Sequence, residues 1–64
     1  MYFEPMKTNE IVNEIARNIE SLPVWVCASM ISYCFVCDKR TAQKALDILA
    51  DRGTLKKDGC IYYK

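Results

Sequence analysis

Apolar residues recur at helical spacing in three parts of the chain. In residues 8–22 they return every three or four positions, which predicts an amphipathic helix. Residues 28–35 repeat this spacing over a shorter stretch, and residues 39–52 carry it over a longer one. The pattern therefore predicts three helices. The apolar stripe of the third helix consists of Ala42, Ala45, Leu46 and Leu49.

Particular residues mark where these helices begin and end. Thr8 is expected to cap the first helix, and residues 21–23, which finish on a proline, are expected to end it. Asp38 is suited to cap the third helix, because its carboxylate can accept hydrogen bonds from backbone N–H groups two and three residues later. Gly53 can end that helix in the left-handed conformation, which glycine adopts at little cost.

Two short strand-like runs after Gly53 predict a terminal β-hairpin. They lie within residues 54–63 and flank Asp58-Gly59, which suits a type I′ turn because both central residues of that turn need positive φ. Val24-Trp25-Val26 is β-branched and aromatic, and we expect it to pair beside the hairpin. The predicted fold class is α+β, in the order helix, strand, helix, helix, strand, strand.

The length of the chain places these elements in one domain. A chain of 64 residues, 52% of them apolar, with two glycines and two prolines, is expected to be compact with a small core. Pro5 disfavours helix at the residue before it, so residues 1–7 are predicted to form an extended lead-in and residues 8–64 the domain. No apolar run reaches the length of a membrane span and no leader pattern is present, which makes a cytoplasmic location the expectation.

Charge is divided unevenly along the chain. The net charge is only +1, which by itself does not indicate a nucleic-acid-binding protein. However, residues 1–35 carry −2, whereas residues 36–64 carry +3. The positive charge is thus concentrated in the predicted third helix and hairpin.

Four cysteines raise the question of a metal site. Cys34 and Cys37 form a C-x₂-C pair, and a four-thiolate zinc site with Cys27 and Cys60 is conceivable. There is no second C-x₂-C pair and no histidine, so buried or half-buried free thiols are the favoured interpretation. No metal and no cofactor is expected.

The sequence lacks the residue patterns of common catalytic sites. It has no histidine, no G-x-S-x-G motif and no glycine-rich phosphate loop. A redox role for Cys34 and Cys37 needs a βαβ unit, which the predicted order of elements does not supply. An enzymatic activity is therefore not expected.

The segment around the third helix carries the pattern of a known family. Ser32 is a small residue in the second helix, Asp38 is a polar cap, and Ala42 is apolar four residues beyond that cap. Followed by a Leu-x-x-Leu, an Arg-Gly and a hairpin, this segment resembles the winged helix-turn-helix family of bacterial, archaeal and phage DNA-binding regulators. The family often has glycine where Val36 stands, so either the turn here keeps negative φ or the register is shifted by one residue.

The resemblance implies how such a protein binds DNA. A winged helix-turn-helix places the helix of residues 39–52 in the major groove and uses the hairpin of residues 54–63 as its wing. Arg40 offers a fork to guanine and Gln43 a donor–acceptor pair to adenine, so both are expected to read bases. The expected phosphate contacts come from Lys39, Thr41, Lys44, Lys56 and Lys57.

Double-stranded DNA is accordingly the implied partner. A single module of this size covers little DNA, so useful specificity suggests a homodimer or a partner protein. The expected association surface is the helix of residues 8–22 together with the aromatic residues Tyr2 and Phe3, because the third helix would be occupied.

Other interpretations of the same residues remain open. A basic helix face is often only a solvated surface, on which Lys44 would form an ordinary i,i+3 pair with Asp47. Asp47 and Asp51 also lie on the exposed side of the helix, where they would repel phosphate. The alternative function is a winged-helix protein-interaction module that docks on another regulator without binding DNA itself.

Overall fold

The computed structural model of the protein describes residues 5–64. This range forms an α+β fold of three helices and a three-stranded antiparallel sheet, in the predicted order. No helix of the range is both long and apolar enough to cross a membrane. The elements are α1 (Thr8–Arg17), a 3₁₀ turn (Ile19–Ser21), β1 (Trp25–Val26), α2 (Ala28–Cys34), α3 (Lys39–Asp51), β2 (Lys56–Asp58) and β3 (Ile61–Tyr63).

The beginning of α1 corrects the predicted cap. Lys7 occupies the cap position and Thr8 is already helical. The backbone N–H of Lys7 donates a 2.9 Å hydrogen bond to the carboxylate of Glu10. An acidic side chain in the first turn therefore closes this end of the helix, as in one half of a capping box, and the hydroxyl of Thr8 is not needed as a cap.

The end of α1 also comes earlier than predicted. Asn18 leaves the helical dihedral angles, with φ −109° and ψ 26°. Its side-chain amide donates a 2.9 Å hydrogen bond back to the carbonyl oxygen of Glu14. Asparagine side chains compete in this way with helix continuation. The helix predicted over residues 8–22 is therefore α1 followed by the separate 3₁₀ turn.

The connection from α2 to α3 is made without a left-handed residue. No non-glycine residue in the described range has positive φ, so Val36 keeps an ordinary conformation and the family's glycine is not required there. α2 buries Ile31 and leaves Cys34 exposed. The helix ends at Cys34, one residue before the predicted end, and the extended Phe35 packs against the core.

Both ends of α3 form as predicted. The carboxylate of Asp38 accepts a 2.8 Å hydrogen bond from the backbone N–H of Thr41. At the other end Gly53 has φ +83°, and its N–H donates to Ala50 while the N–H of Thr54 donates to Leu49. These two bonds are the Schellman pattern, which satisfies the last carbonyl groups of a helix. Local sequence thus determines where α3 starts and stops.

The sheet has the strand order β1-β3-β2. β1 pairs with β3, as expected for a strand beside the hairpin. The turn, however, lies one residue later than predicted: Asp58 pairs with Ile61, so Gly59 and Cys60 are its central residues. Only Gly59 has positive φ, at +65°. Glycine with positive φ at the first central position is typical of a type II′ turn, which relieves Asp58 of a left-handed conformation.

One small core lies where the helices meet the sheet. Residues just before α1 are attached to it, because the N–H of Met6 donates a 2.6 Å hydrogen bond to the carbonyl of Val36 and the Met6 side chain packs on the core. Tyr2 and Phe3, expected in an association surface, lie outside the described residues. The buried apolar residues are Ile11, Val12, Ile15, Val26, Ile31, Ala42, Ala45, Leu46, Leu49, Leu55 and Tyr62.

Candidate nucleic-acid interface

The first turns of α3 present a group of exposed cations. Lys39, Arg40 and Lys44 are all exposed, because the apolar stripe that starts at Ala42 faces the core and leaves the opposite side of the helix in solvent. Within residues 5–64 the ion pairs are Arg17–Glu14 and Lys57–Asp47. None of the three cations is therefore held by a carboxylate in that range. We call Lys39, Arg40 and Lys44 the basic turn.

Asp38 places one negative charge beside the basic turn. Its hydrogen bonds with Thr41 are the main cause of a lowered pKa, and the positive charges of Arg40 and Lys44 lower it further. The carboxylate is thus already used by the backbone at the start of α3. Thr41 is half-buried and its backbone N–H is engaged by this cap, so its hydroxyl is less accessible than the neighbouring cations.

Gln43 lies elsewhere than the sequence suggested. We expected it on the exposed side of α3, but it is half-buried, and its side-chain amide donates to Asp47 at 3.3 Å and to the hydroxyl of Tyr62. Tyr62 belongs to β3, so this amide joins the helix to the hairpin. Reading an adenine with the same amide would require these bonds to open.

Asp47 is the centre of this junction. One of its carboxylate oxygens accepts hydrogen bonds from Gln43, from the Tyr62 hydroxyl and from the Nζ of Lys57, the last at 3.1 Å. The same Nζ lies 5.6 Å from the centroid of the Tyr62 ring, within cation–π range. We call Gln43, Asp47, Lys57 and Tyr62 the helix–hairpin cluster.

The pKa values in the cluster shift as this geometry demands. The hydrogen bond from Tyr62 is the largest cause of the lowered pKa of Asp47, with Lys57 and Gln43 adding to it. The bond to Asp47 raises the pKa of Lys57. Burial is the main cause of the raised pKa of Tyr62. Near neutral pH the cluster therefore holds a carboxylate, an ammonium group and a neutral phenol.

The helix–hairpin cluster changes the charge that α3 presents to solvent. The carboxylate of Asp47 was expected to pair with Lys44 or to repel phosphate, but Lys57 from β2 neutralises it. Lys44 is consequently left to the basic turn. Lys57 itself is engaged within the protein, so it is a weaker candidate for phosphate contact than its position in the hairpin suggested.

The two hairpin lysines lie on opposite faces of the sheet. Lys57 pairs across the strands with the buried Tyr62, on the side facing α3, whereas Lys56 pairs with Tyr63 on the outer side. The structure therefore groups Lys39, Arg40 and Lys44 on α3, whereas Lys56 lies on β2, on the outer face of the sheet. Of the residues predicted for the site, Gln43 and Lys57 are those drawn into internal bonds.

The cysteines do not assemble into a metal centre. In the described part of the chain no group of three or more cysteine, histidine or acidic residues is placed to hold a metal ion. Cys34 and Cys60 are exposed, and Cys27 and Cys37 are half-buried. Burial, with the adjacent Asp38 charge, raises the pKa of Cys37 and keeps that thiol protonated. The thiols were predicted to be buried or half-buried, which is correct for Cys27 and Cys37 and wrong for Cys34 and Cys60.

The outer side of α2 is a different kind of surface. The helix Ala28–Cys34 contains no charged residue. A shallow apolar depression of about 450 Å³ is lined by Ser29, Met30, Tyr33 and Cys34, and Tyr33 is 92% exposed. Large apolar side chains displayed in this way are typical of association surfaces.

Compared with protein-family models, with curated proteins and with solved structures, the chain finds no match. The function must therefore be argued from the geometry above.

Proposed function

We propose that this protein is a small DNA-binding transcriptional regulator with a winged helix-turn-helix fold. In this proposal α3 enters the major groove and the β2–β3 hairpin acts as the wing. The observation that supports it is the basic turn, in which three exposed cations, none of them paired with a carboxylate of residues 5–64, lie at the leading end of a helix capped at both ends. The order of elements agrees with that fold.

The residues of the site take distinct roles in this proposal. Arg40 reads a base, because its guanidinium can donate two parallel hydrogen bonds to guanine. Lys39 and Lys44 contact phosphates on either side of the groove, and the hydroxyl of Thr41 adds a weaker contact. Lys56, exposed on the wing, supplies a further phosphate contact.

Gln43 and Lys57 are assigned a positioning role. Both are bonded to Asp47, and Gln43 is also bonded to Tyr62. These bonds fix the wing against the middle of α3, so they set the angle at which helix and wing approach a duplex together. The direct readout that the sequence suggested for Gln43 is replaced by this indirect one.

The number of contacts limits the affinity of one copy. Three lysines facing phosphate give a salt dependence with a log–log slope of about −2.7, which corresponds to weak non-specific binding at physiological salt. A single module also buries only about 600–1,000 Å² on DNA. We therefore propose that specific binding uses two copies or a partner protein. The side of α1 that carries Asn9 and Ala16 is exposed and available for that association.

The test is a duplex-binding titration with matched arginine variants. Arg40→Ala is expected to weaken binding to a selected duplex by about 1–3 kcal/mol and to reduce discrimination at one base pair. Arg17→Ala removes the same charge from α1, where the side chain is 70% exposed, and serves as the control. Equal loss for the two variants, or no loss for Arg40→Ala, would contradict base reading by Arg40.

The outer side of α2 favours a second candidate function. A charge-free helix with an exposed Tyr33 beside an apolar depression suits docking on another regulator, with an apolar side chain of that regulator seated against Met30 and Tyr33. In this case the protein acts without touching DNA.

Heparin chromatography separates the two candidates. A DNA-binding protein should be retained and elute at raised salt, with Arg40→Ala eluting earlier than Arg17→Ala. A docking module should pass through heparin, and its complex with a purified regulator should be lost on Tyr33→Ser while Arg40→Ala leaves it intact.

A further inference from the structure

The outer face of the sheet carries a row of aromatic residues. In the register of the three strands, Trp25 lies beside Tyr63, and Tyr63 lies beside Lys56. Strand side chains alternate between faces, and Val26 and Tyr62 point to the core, so this row points away from it. Trp25 is 49% exposed and Tyr63 is 36% exposed. We call Trp25, Tyr63 and Lys56 the outer row.

The outer row is bordered by one charge of each sign. Ile61, 38% exposed, extends the apolar surface from Tyr63 towards the turn, where Asp58 pairs with it. Asp58 lies two residues after Lys56 on β2, so its carboxylate shares this face with the ammonium group of Lys56. Lys64 is exposed, but it follows Tyr63 beyond the end of β3, and strand alternation does not place it on this face.

The size of this face determines what it can hold. Its strands have only two or three residues each, whereas a stable protein–protein contact needs about 800 Å² from each partner. Two neighbouring aromatic rings with one cation, Lys56, at their edge instead match one or two nucleobases and the phosphate that joins them. Base stacking on aromatic side chains needs little area, because each stacked base contributes through its flat face.

We propose that the outer row binds single-stranded nucleic acid. Bases stack on Trp25 and Tyr63, and Lys56 contacts the phosphate between them. This surface shares Lys56 with the proposed wing but none of its residues with the basic turn, so the inference does not depend on duplex binding by α3.

The tryptophan provides a direct readout. Trp25 is the chain's single tryptophan, so its emission reports on this face without a label. Titration with a ten-nucleotide oligothymidine is expected to quench the emission in a saturable, salt-dependent manner. A blunt-ended duplex of two annealed strands is expected to leave the emission largely unchanged, because its bases are already paired and stacked.

Variants of Tyr63 test the stacking itself. Tyr63→Leu keeps an apolar side chain in the strand but removes the aromatic face, and it is expected to weaken oligothymidine binding about tenfold. Tyr63→Phe keeps the ring and is expected to bind like the unaltered protein. Circular dichroism of each variant verifies the fold before the titration.

The results distinguish this inference from the proposed function. The Lys39→Ala, Arg40→Ala double variant should lose duplex binding and keep the quenching by oligothymidine. Absence of quenching, or equal quenching for Tyr63→Leu and Tyr63→Phe, overturns the inference. It is also overturned if Trp25 emission changes with protein concentration in the absence of nucleic acid, since a second copy of the chain would then cover the face.

Discussion

At the scale of single residues, Asp47 shows how the charge of a carboxylate near a group of cations is neutralised within the fold. Three donors from three places in the chain converge on one of its oxygens, one from α3, one from β2 and one from β3. Lys57 cancels the charge, and the Tyr62 hydroxyl supplies a hydrogen bond from a side chain whose ring is fully buried. Asp47, which was expected to repel phosphate, instead joins α3 to the hairpin.

Removing the Tyr62 hydroxyl is expected to destabilise the fold. Tyr62→Phe keeps the buried ring but leaves Asp47 and Gln43 without one partner, so the free energy of unfolding should fall by about 1 kcal/mol. Chemical denaturation measures it. The matched control is Tyr63→Phe, which removes an exposed hydroxyl on the other face of β3 and should change stability little. An equal change in the free energy of unfolding for both variants would show that the Tyr62 hydroxyl contributes no more than an exposed hydroxyl.

The lowered pKa of Asp47 predicts an acid-sensitive stability. The folded protein holds this carboxyl below its ordinary pKa of 3.8, so the stabilisation is complete above that value and is lost as the pH falls through the lower folded-state pKa. The thermal midpoint of the unaltered protein should therefore drop below about pH 4. Asp47→Asn and Tyr62→Phe should both make the drop shallower. A drop of unchanged steepness in both variants would place the acid sensitivity elsewhere.

At the scale of elements, α3 is the helix whose limits follow from neighbouring residues alone. Asp38 and Gly53 act over distances of three to five residues, and the structure confirms both. The predicted limits of α1 were wrong. The side chains of Glu10 and Asn18 form the hydrogen bonds at its two ends, in place of the residues expected to cap and end it. Apolar spacing does not show which of several neighbouring polar side chains will cap a helix. It therefore predicts the presence of a helix more reliably than its end residues.

The part of the candidate site that the sequence did not predict depends on the register of the hairpin. A turn centred on Asp58-Gly59 would place Lys57 opposite Cys60, whereas the observed turn places it opposite Tyr62. Gln43 and Tyr62 are also 19 residues apart, so no periodic pattern connects them. The basic turn was predictable because its residues lie within six positions of one helix. The helix–hairpin cluster was not predictable, because it depends on strand register.

Replacing Gly53 should be costly at the end of α3. Its φ is +83° and an added Cβ would meet no atom within 4 Å, so the cost of Gly53→Ala is conformational alone, about 1 kcal/mol. Gly53→Asn should cost less, since asparagine tolerates the left-handed region better than alanine. Denaturation midpoints of the two variants measure the difference. Equal midpoints for alanine and asparagine would contradict a purely conformational cost.

At the scale of the whole molecule, charge and apolar surface are separated onto different faces. The basic turn lies on α3, the charge-free depression on α2 and the outer row on the sheet. A net charge of +1 conceals this separation.

The salt dependence of duplex binding reports on the whole basic surface. Lys44→Ala should make the log–log slope less steep by about 0.9, the contribution of one released counterion. Lys57→Ala should change the slope by less, because its ammonium group is already paired with Asp47. Fluorescence anisotropy at several salt concentrations measures both. A larger change for Lys57→Ala would place Lys57 on the phosphates and contradict its positioning role.

The hydrogen bond between Met6 and Val36 has a practical consequence for experiments with this protein. It anchors the chain just ahead of α1 to the turn that leads into α3, so an affinity tag or fluorescent protein fused upstream would emerge close to the basic turn. A fusion after Lys64 would emerge beside Tyr63 and the outer row. Neither end is a neutral attachment point, and cleavable fusions are required for every assay described above.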